Sequence, residues 1–317
     1  MNKICDDLII KYKLFWQYPV ITEKVVFNQQ KDNNNYIGVP WATIIDKKIN
    51  IRNFLRELIS KIDKSKEYIT FCQHIHFRKI IPILHYLNIK TLYSSHKIKT
   101  ENKINKINIK PCVLYAVNIE DKTRNDIFKF INNNNNNTID DKYKILNERK
   151  DIYYSFIGSY NPKCYLTKIR HDILRMKHHK KSYVKPTNGW HFENLVYQEQ
   201  VKNKKVNEEQ KLNHNNKTLI YNTVLLRSRY SLCPSGSGPN SIRLWESLAV
   251  GSIPILLADT LELPKHKLWD KAIVFLPEKN INNLENILIN ISKEKEEEMR
   301  KNCLIIYNNF KNDFLKL

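Results

Sequence analysis

The chain has 317 residues, 42% of them hydrophobic, enough to bury a sizeable core and, at about 100–200 residues each, to make two domains. Six glycines and eleven prolines exclude collagen-like and Gly/Pro-rich disordered chains, and no apolar run approaches the ~18–20 residues of a membrane span. The formal charge of +21 attracts polyanions and nucleotides, but it is spread over a Lys-, Asn- and Ile-rich chain as solvated surface lysine. Neither aromatic–basic interleaving nor a reading helix marks a nucleic-acid-binding protein.

Residues 1–7 (MNKICDD) bring two acids before any apolar stretch, which is not the plan of a signal peptide, so a cytoplasmic protein is expected. Residues 67–73 (EYITFCQ) read as a buried strand and 77–87 as a helix. Strands at 91–94 and 113–117 follow, with polar loops at 97–110 and 131–142, the second Asn-rich. A fresh start comes at Asp151. Residues 152–157 read as a strand ending at Gly158, 165–177 as a basic helix, and 202–216 as a charged loop. Then come a helix near 219–227, a strand 230–233, a helix 241–250 and strands 253–258 and 272–276. Two helices, near 280–291 and 293–311, finish the chain.

Strands alternating with helices predict an α/β protein with parallel sheets. The expected arrangement is two doubly wound domains facing a cleft, 1–148 and 149–317, with the last helix packing back on the first domain. The six cysteines are widely spaced without a Cys-x-x-Cys pair, which fits reduced core thiols better than a zinc site. In open parallel sheets ligands bind beyond the carboxyl ends of strands. That rule selects 73–76, 94–97, 158–161, 234–240 and Asp259.

Three of the six glycines fall within 236–251. The stretch 233–246 (CPSGSGPNSIRLWE) reads as a strand end, a Gly/Ser turn, then a helix capped by Asn240 or Ser241. Free N–H groups at such a helix start suit a diphosphate, Arg243 adds charge in the first turn, and Glu246 lies within reach of a ribose diol. No Gly-Lys-Ser/Thr is present, and Gly-x-Gly lacks the third glycine of the dinucleotide fingerprint.

Residues 232–259 (LCPSGSGPNSIRLWESLAVGSIPILLAD), continued by Leu263-Pro264 and Trp269, resemble the C-terminal signature of exostosin-type glycosyltransferases, family 47. Weaker matches are Phe156-Ile157-Gly158 with Arg170, and Pro40-Trp41-Ala42. The resemblance implies a GT-B-type enzyme of two Rossmann-like domains that moves a sugar from a nucleotide sugar, most readily a UDP-sugar, to a hydroxyl of a glycan or glycoprotein. Donor-binding residues are then expected at Gly158, Arg170, Ser235, Gly236, Ser237, Gly238, Asn240, Ser241, Arg243 and Glu246. Family members carry Arg where this chain has Ser235. The compact form without a membrane anchor resembles proteins of bacteria and of large DNA viruses, which would place it in the cytoplasm, the host's if viral.

A GT-A enzyme would hold a metal with Asp-x-Asp, a spacing absent here. A retaining GT-B enzyme commonly places Glu eight residues before the ribose Glu, where this chain has Gly238. Transfer is therefore expected to invert the anomeric carbon without metal or other cofactor. The general base is sought among His74, His96 and Asp46, with His74 first and Glu193 a further candidate. The alternatives are a family 10-like fucosyltransferase, which has Lys where this chain has Ser247, and a non-catalytic nucleic-acid- or sugar-binding protein.

Overall fold

The computed structural model describes residues 2–129 and 138–315. Its first sheet holds β1 (Tyr68–Cys72), β2 (Ile89–Ser94), β3 (Lys103–Ile104) and β4 (Ile107–Pro111), in the order β1-β2-β4-β3. The β1, β2 and β4 strands are parallel, and β3 turns back antiparallel on β4. The second sheet holds β5 (Ile152–Gly158), β6 (Tyr183–Pro186), β7 (Ser228–Pro234), β8 (Ile253–Leu257) and β9 (Val274–Phe275), all parallel, in the order β6-β5-β7-β8-β9. The chain is thus an α/β protein of parallel-rich sheets. β7 and β8 are buried along nearly their whole length, which is why 253–257 reads as an unbroken apolar run and 230–233 as a mostly apolar one.

Several elements differ from the sequence reading. The third strand is β4, inside the expected 97–110 loop, whereas 113–116 has no regular structure and Val117–Glu120 is a helical turn. Ile107, Ile109 and Pro111 point inward and Asn108 and Lys110 outward, a short alternation that the surrounding lysines and asparagines hide. The expected helix at 77–87 breaks into 3₁₀, α and 3₁₀ pieces because Pro82 has no N–H to give, and Asn88 closes it at φ +47°. The basic helix is confined to Ile169–Arg175.

The charged loop 202–216 is mostly the start of the Glu208–Arg227 helix. Asn207 and Gln210 form a reciprocal capping box there, and polarity had masked a solvent-facing helix as loop. Of the Asn-rich loop, 131–137 lies outside the described residues, and Thr138 caps the Ile139–Asn147 helix. Strand β6 and the π-helical segment Glu193–Val201 were not expected.

The two sheets meet along several seams. Ile98 pairs antiparallel with Leu261, Lys99 N–H reaches Thr260 O at 3.0 Å, and Glu262 N–H reaches Lys97 O at 3.2 Å. The buried Lys97 ammonium is paired with Glu262. After the Lys293–Asn312 helix, Phe314 accepts the Cys112 thiol at 3.1 Å and donates to Gln29 at 3.1 Å, which ties it to the segment after β4 and to the Thr22–Gln29 helix. On the opposite margin Gln200 bonds the backbone of Tyr18 through both ends of its amide, and Lys47 reaches Asn203. Among the described residues no helix is long and apolar enough to cross a membrane.

Candidate active site

In the second sheet the chain runs from β5 outward to β6 and returns to β7 on the other side of β5. This reversal opens a crevice at the carboxyl ends of β5 and β7, the usual ligand position in open α/β sheets. Gly158 and Ser159 form one lip and Ser235 and Gly236 the other. Two arginines fill the space between. Arg170, from the Ile169–Arg175 helix, donates Nε to Ser235 O at 2.8 Å and Nη1 to Ser159 O at 3.4 Å. Arg243 lies 4.6 Å from the Phe156 ring centroid, donates Nη2 to Ile157 O, and leaves Nη1 buried without a partner among the described residues.

These carbonyls are neutral, and neither arginine forms an ion pair among the described residues. Burial and the neighbouring Arg243 charge push Arg170 down to about 10. Two guanidiniums without a carboxylate ion-pair partner among the described residues thus lie side by side between β5 and β7.

The glycine loop is shaped to pass close by. A Cβ on Gly236 would stand 2.9 Å from Arg170 Nη2, and one on Gly238 only 2.5 Å from His96 Nδ1 and 2.7 Å from Ile75 Cγ2. Gly238 therefore touches the ends of both β1 and β2. Ser237 is half-buried at the tip. Asn240 serves as a tie, donating to Ser95 O at 2.7 Å and accepting from Trp245 Nε1 at 3.0 Å, which leaves Ser241 as the N-cap of the Ile242–Ala249 helix. Ser235, at the family's Arg position, turns away from the crevice. Its hydroxyl donates to Glu278 at 2.9 Å and meets Thr167 at 3.2 Å.

Glu246 is 0% exposed. It accepts the Tyr221 hydroxyl at 2.7 Å and Asn118 N–H at 3.3 Å, and burial raises its pKa above the ordinary carboxylate value. Each oxygen keeps a second lone pair, so what bars a ribose diol is burial, and it would reach Glu246 only if the packing around it, Tyr221 included, moved aside. Glu246→Ala leaves both without an acceptor and is expected to destabilise the fold by about 1–3 kcal/mol, read by denaturant unfolding; unchanged stability would show that the two donors find other partners.

At the end of β1, His74 and Asp46 come together, with Nε2 and Oδ1 2.9 Å apart. His74 Nδ1 accepts the N–H of His76 at 2.9 Å, so Nε2 carries the proton and donates to Asp46, and no ring lone pair of His74 is free. The other Asp46 oxygen accepts from Gln17 at 2.6 Å, and the Tyr197 hydroxyl also bonds this carboxylate. His96 is buried with Nδ1 unpartnered among the described residues, and burial pushes its pKa down to about 3. Glu193 is half-buried and accepts from Gln198 at 3.0 Å.

Behind this group Glu23 accepts Ala42 N–H on both oxygens at 3.1 and 3.2 Å and Gln73 N–H at 3.2 Å. It thereby fixes the end of β1 to the start of the Trp41–Lys47 helix. Burial raises it to about 8 against the pull of those N–H groups. Neither Glu23 nor Tyr221 stands in a motif that would single it out. The expected Asp259 accepts the N–H of Glu278 at 3.1 Å and lines a cavity of about 960 Å³ with Pro264, Trp269 and Phe275. Among the described residues no three His, Cys, Asp or Glu side chains converge to hold a metal ion.

The Exostosin GT47 domain matches residues 112–291, more than half of the chain. A probable glucuronoxylan glucuronosyltransferase of Arabidopsis thaliana is 31% identical over 84 residues, 26% of this chain and 18% of that protein. A probable glucuronosyltransferase of the moss Physcomitrium patens is 36% identical over 83 residues, 26% of this chain and 18% of its own. A probable beta-1,4-xylosyltransferase of Arabidopsis thaliana is 37% identical over 76 residues, 23% and 18% of the two chains. The matched stretch thus spans less than a fifth of the length of these relatives. With the domain match covering most of the second sheet and its arginine-lined crevice, the chain belongs to the exostosin family, glycosyltransferase family 47.

Proposed function

We propose that this protein is a glycosyltransferase of GT-B architecture, with Rossmann-like domains at 1–148 and 149–317, that moves a sugar from a UDP-sugar to a hydroxyl of a glycan or glycoprotein acceptor in the cytoplasm. The observation that carries the reading is the pair Arg170 and Arg243, unpaired with any carboxylate among the described residues and set in the crevice between β5 and β7. A leaving nucleoside diphosphate is the anion that such a pair serves in this chemistry. As the bond to the anomeric carbon breaks, negative charge grows on the diphosphate oxygen, and fixed cations stabilise it more than the ground state.

In this reading Gly158, Gly236, Ser237 and Gly238 let the donor approach the backbone. Ser235, Asn240 and Ser241 hold the loop in shape, and Glu246 meets the ribose once Tyr221 yields. His74, His96 and Asp46 lie at the ends of β1 and β2 or beside them, on the acceptor side. The two arginines supply the charge that a metal supplies in Asp-x-Asp enzymes, so transfer needs no metal or other cofactor, and attack from the side opposite the diphosphate inverts the anomeric carbon. The names of the relatives make UDP-glucuronate and UDP-xylose the first donors to test.

The test is thermal unfolding with UDP, UDP-glucuronate, UDP-xylose and a panel of other nucleotide sugars. A ligand at ~100-fold its Kd stabilises by about 2.7 kcal/mol. Absence of stabilisation by every nucleotide would overturn the donor site. Transfer from the stabilising sugar is expected to survive saturating EDTA; loss on chelation and recovery with Mn²⁺ would refute metal independence.

A further inference from the structure

Three groups at the acceptor side are already committed. His74 has both nitrogens bonded, Asp46 accepts from Gln17, His74 and Tyr197, and His96 is buried under Gly238. His76 differs from all three. Its ring is exposed, and among the described residues no group hydrogen-bonds it. Its own N–H is held by His74 Nδ1 at 2.9 Å, and the two imidazole centroids are 5.3 Å apart. The preceding residue, Ile75, is the one that packs against Gly238 of the donor loop.

Resting on the glycosyltransferase reading, we propose that His76 is the general base, and that Asp46 and His74 are positioning residues that hold it. Asp46 fixes the tautomer of His74, and His74 fixes the backbone turn that carries the His76 ring. In the transfer step a His76 ring nitrogen takes the proton of the acceptor hydroxyl as that oxygen bonds to the anomeric carbon. The anomeric carbon–oxygen bond to the donor diphosphate breaks, and its electron pair leaves on the diphosphate, beside Arg170 and Arg243. The resulting imidazolium faces solvent and releases its proton there.

The surroundings keep the ring neutral and able to accept. Burial, His74, Lys79 and Arg78 all lower its pKa, and only Asp46 raises it. A base with a pKa somewhat below neutrality is in the accepting form at working pH.

The test uses the full chain and the donor found by thermal stabilisation, with His76→Ala and His76→Gln. His85→Ala serves as control, an exposed histidine before the start of β2. Both His76 variants are expected to lose about 10²–10⁴-fold in kcat with donor KM unchanged. They also lose the acidic limb of the kcat–pH profile, and added imidazole restores turnover to His76→Ala. His85→Ala keeps wild-type kinetics.

Turnover within about threefold of wild type in either His76 variant overturns the assignment. So does a folded His76→Gln whose reduced residual turnover still shows the acidic limb. If wild-type protein neither binds nor transfers from any nucleotide sugar, the glycosyltransferase reading fails and the base falls with it. If wild type transfers and His76→Ala does too, only the base is lost.

Discussion

Replacing Arg243 by Met is expected to weaken binding of UDP by about 10–100-fold, the worth of a charged hydrogen bond of about 1.5–3 kcal/mol, while leaving uridine affinity unchanged. Arg170→Met should do the same. The loss in the double variant should fall short of the product of the two, because the guanidiniums share one anion and already repel each other. Methionine keeps an unbranched stem against Phe156 and removes a buried charge that has no carboxylate partner, so the fold is expected to hold or gain stability. Titration calorimetry with UDP and uridine side by side reads the result. Equal losses for both ligands would show that Arg243 supports the loop rather than the diphosphate.

A second large effect is expected from Glu23 and is a matter of pH. The folded protein holds this carboxyl protonated up to about 8, whereas the unfolded chain releases the proton near 4.5. Between those values the native state binds more protons than the unfolded one, so stability falls as pH rises through the window, by on the order of a few kcal/mol. Glu23→Gln cannot ionise and should flatten this part of the profile, making the variant the more stable protein relative to wild type near pH 8 than near pH 5. Urea unfolding of both proteins across that range decides it. Parallel profiles would mean that the Ala42 and Gln73 N–H groups hold Glu23 ionised throughout. Because Gln73 precedes His74, the same protonation sets how firmly the end of β1 is held.

In the second sheet the central strands β5, β7 and β8 were legible in the sequence because they are largely buried, whereas the half-exposed edge strand β6 was not. Residues 253–257 (IPILL) carry an unbroken apolar signal, 230–233 (YSLC) a mostly apolar one, and the glycines at 236, 238 and 251 mark the turns on either side of the intervening helix. The first sheet was legible only where it is equally buried, at β1 and β2. β4 failed because alternate residues face water, and in a lysine-rich chain an alternating strand looks like a loop.

The site divides the same way. Arg170, Arg243 and the glycines lie in local motifs and do meet in space. His74 could not be judged from spacing, since what occupies its two nitrogens is Asp46, 28 residues away, and a backbone N–H whose direction depends on the turn. Glu246 likewise sits where a ribose-binding acid would, yet Tyr221 and Asn118 come from segments that carry no motif.

The seams between the two sheets are unequal latches. On one margin the stitching is main chain to main chain, through Ile98 with Leu261, Lys99 with Thr260 and Glu262 with Lys97, and the buried Lys97 ammonium locks it. On the other, a glutamine amide and a lysine reach across to Tyr18 and Asn203. Parting the first margin breaks a ladder and strands a buried cation, whereas parting the second breaks the Gln200 and Lys47 bonds and exposes the apolar cluster of Val20, Ile21, Val117, Phe192 and Val196. The two seams are therefore of different kinds, one a main-chain ladder closed over a buried charge, the other a set of side-chain ties laid over an apolar cluster.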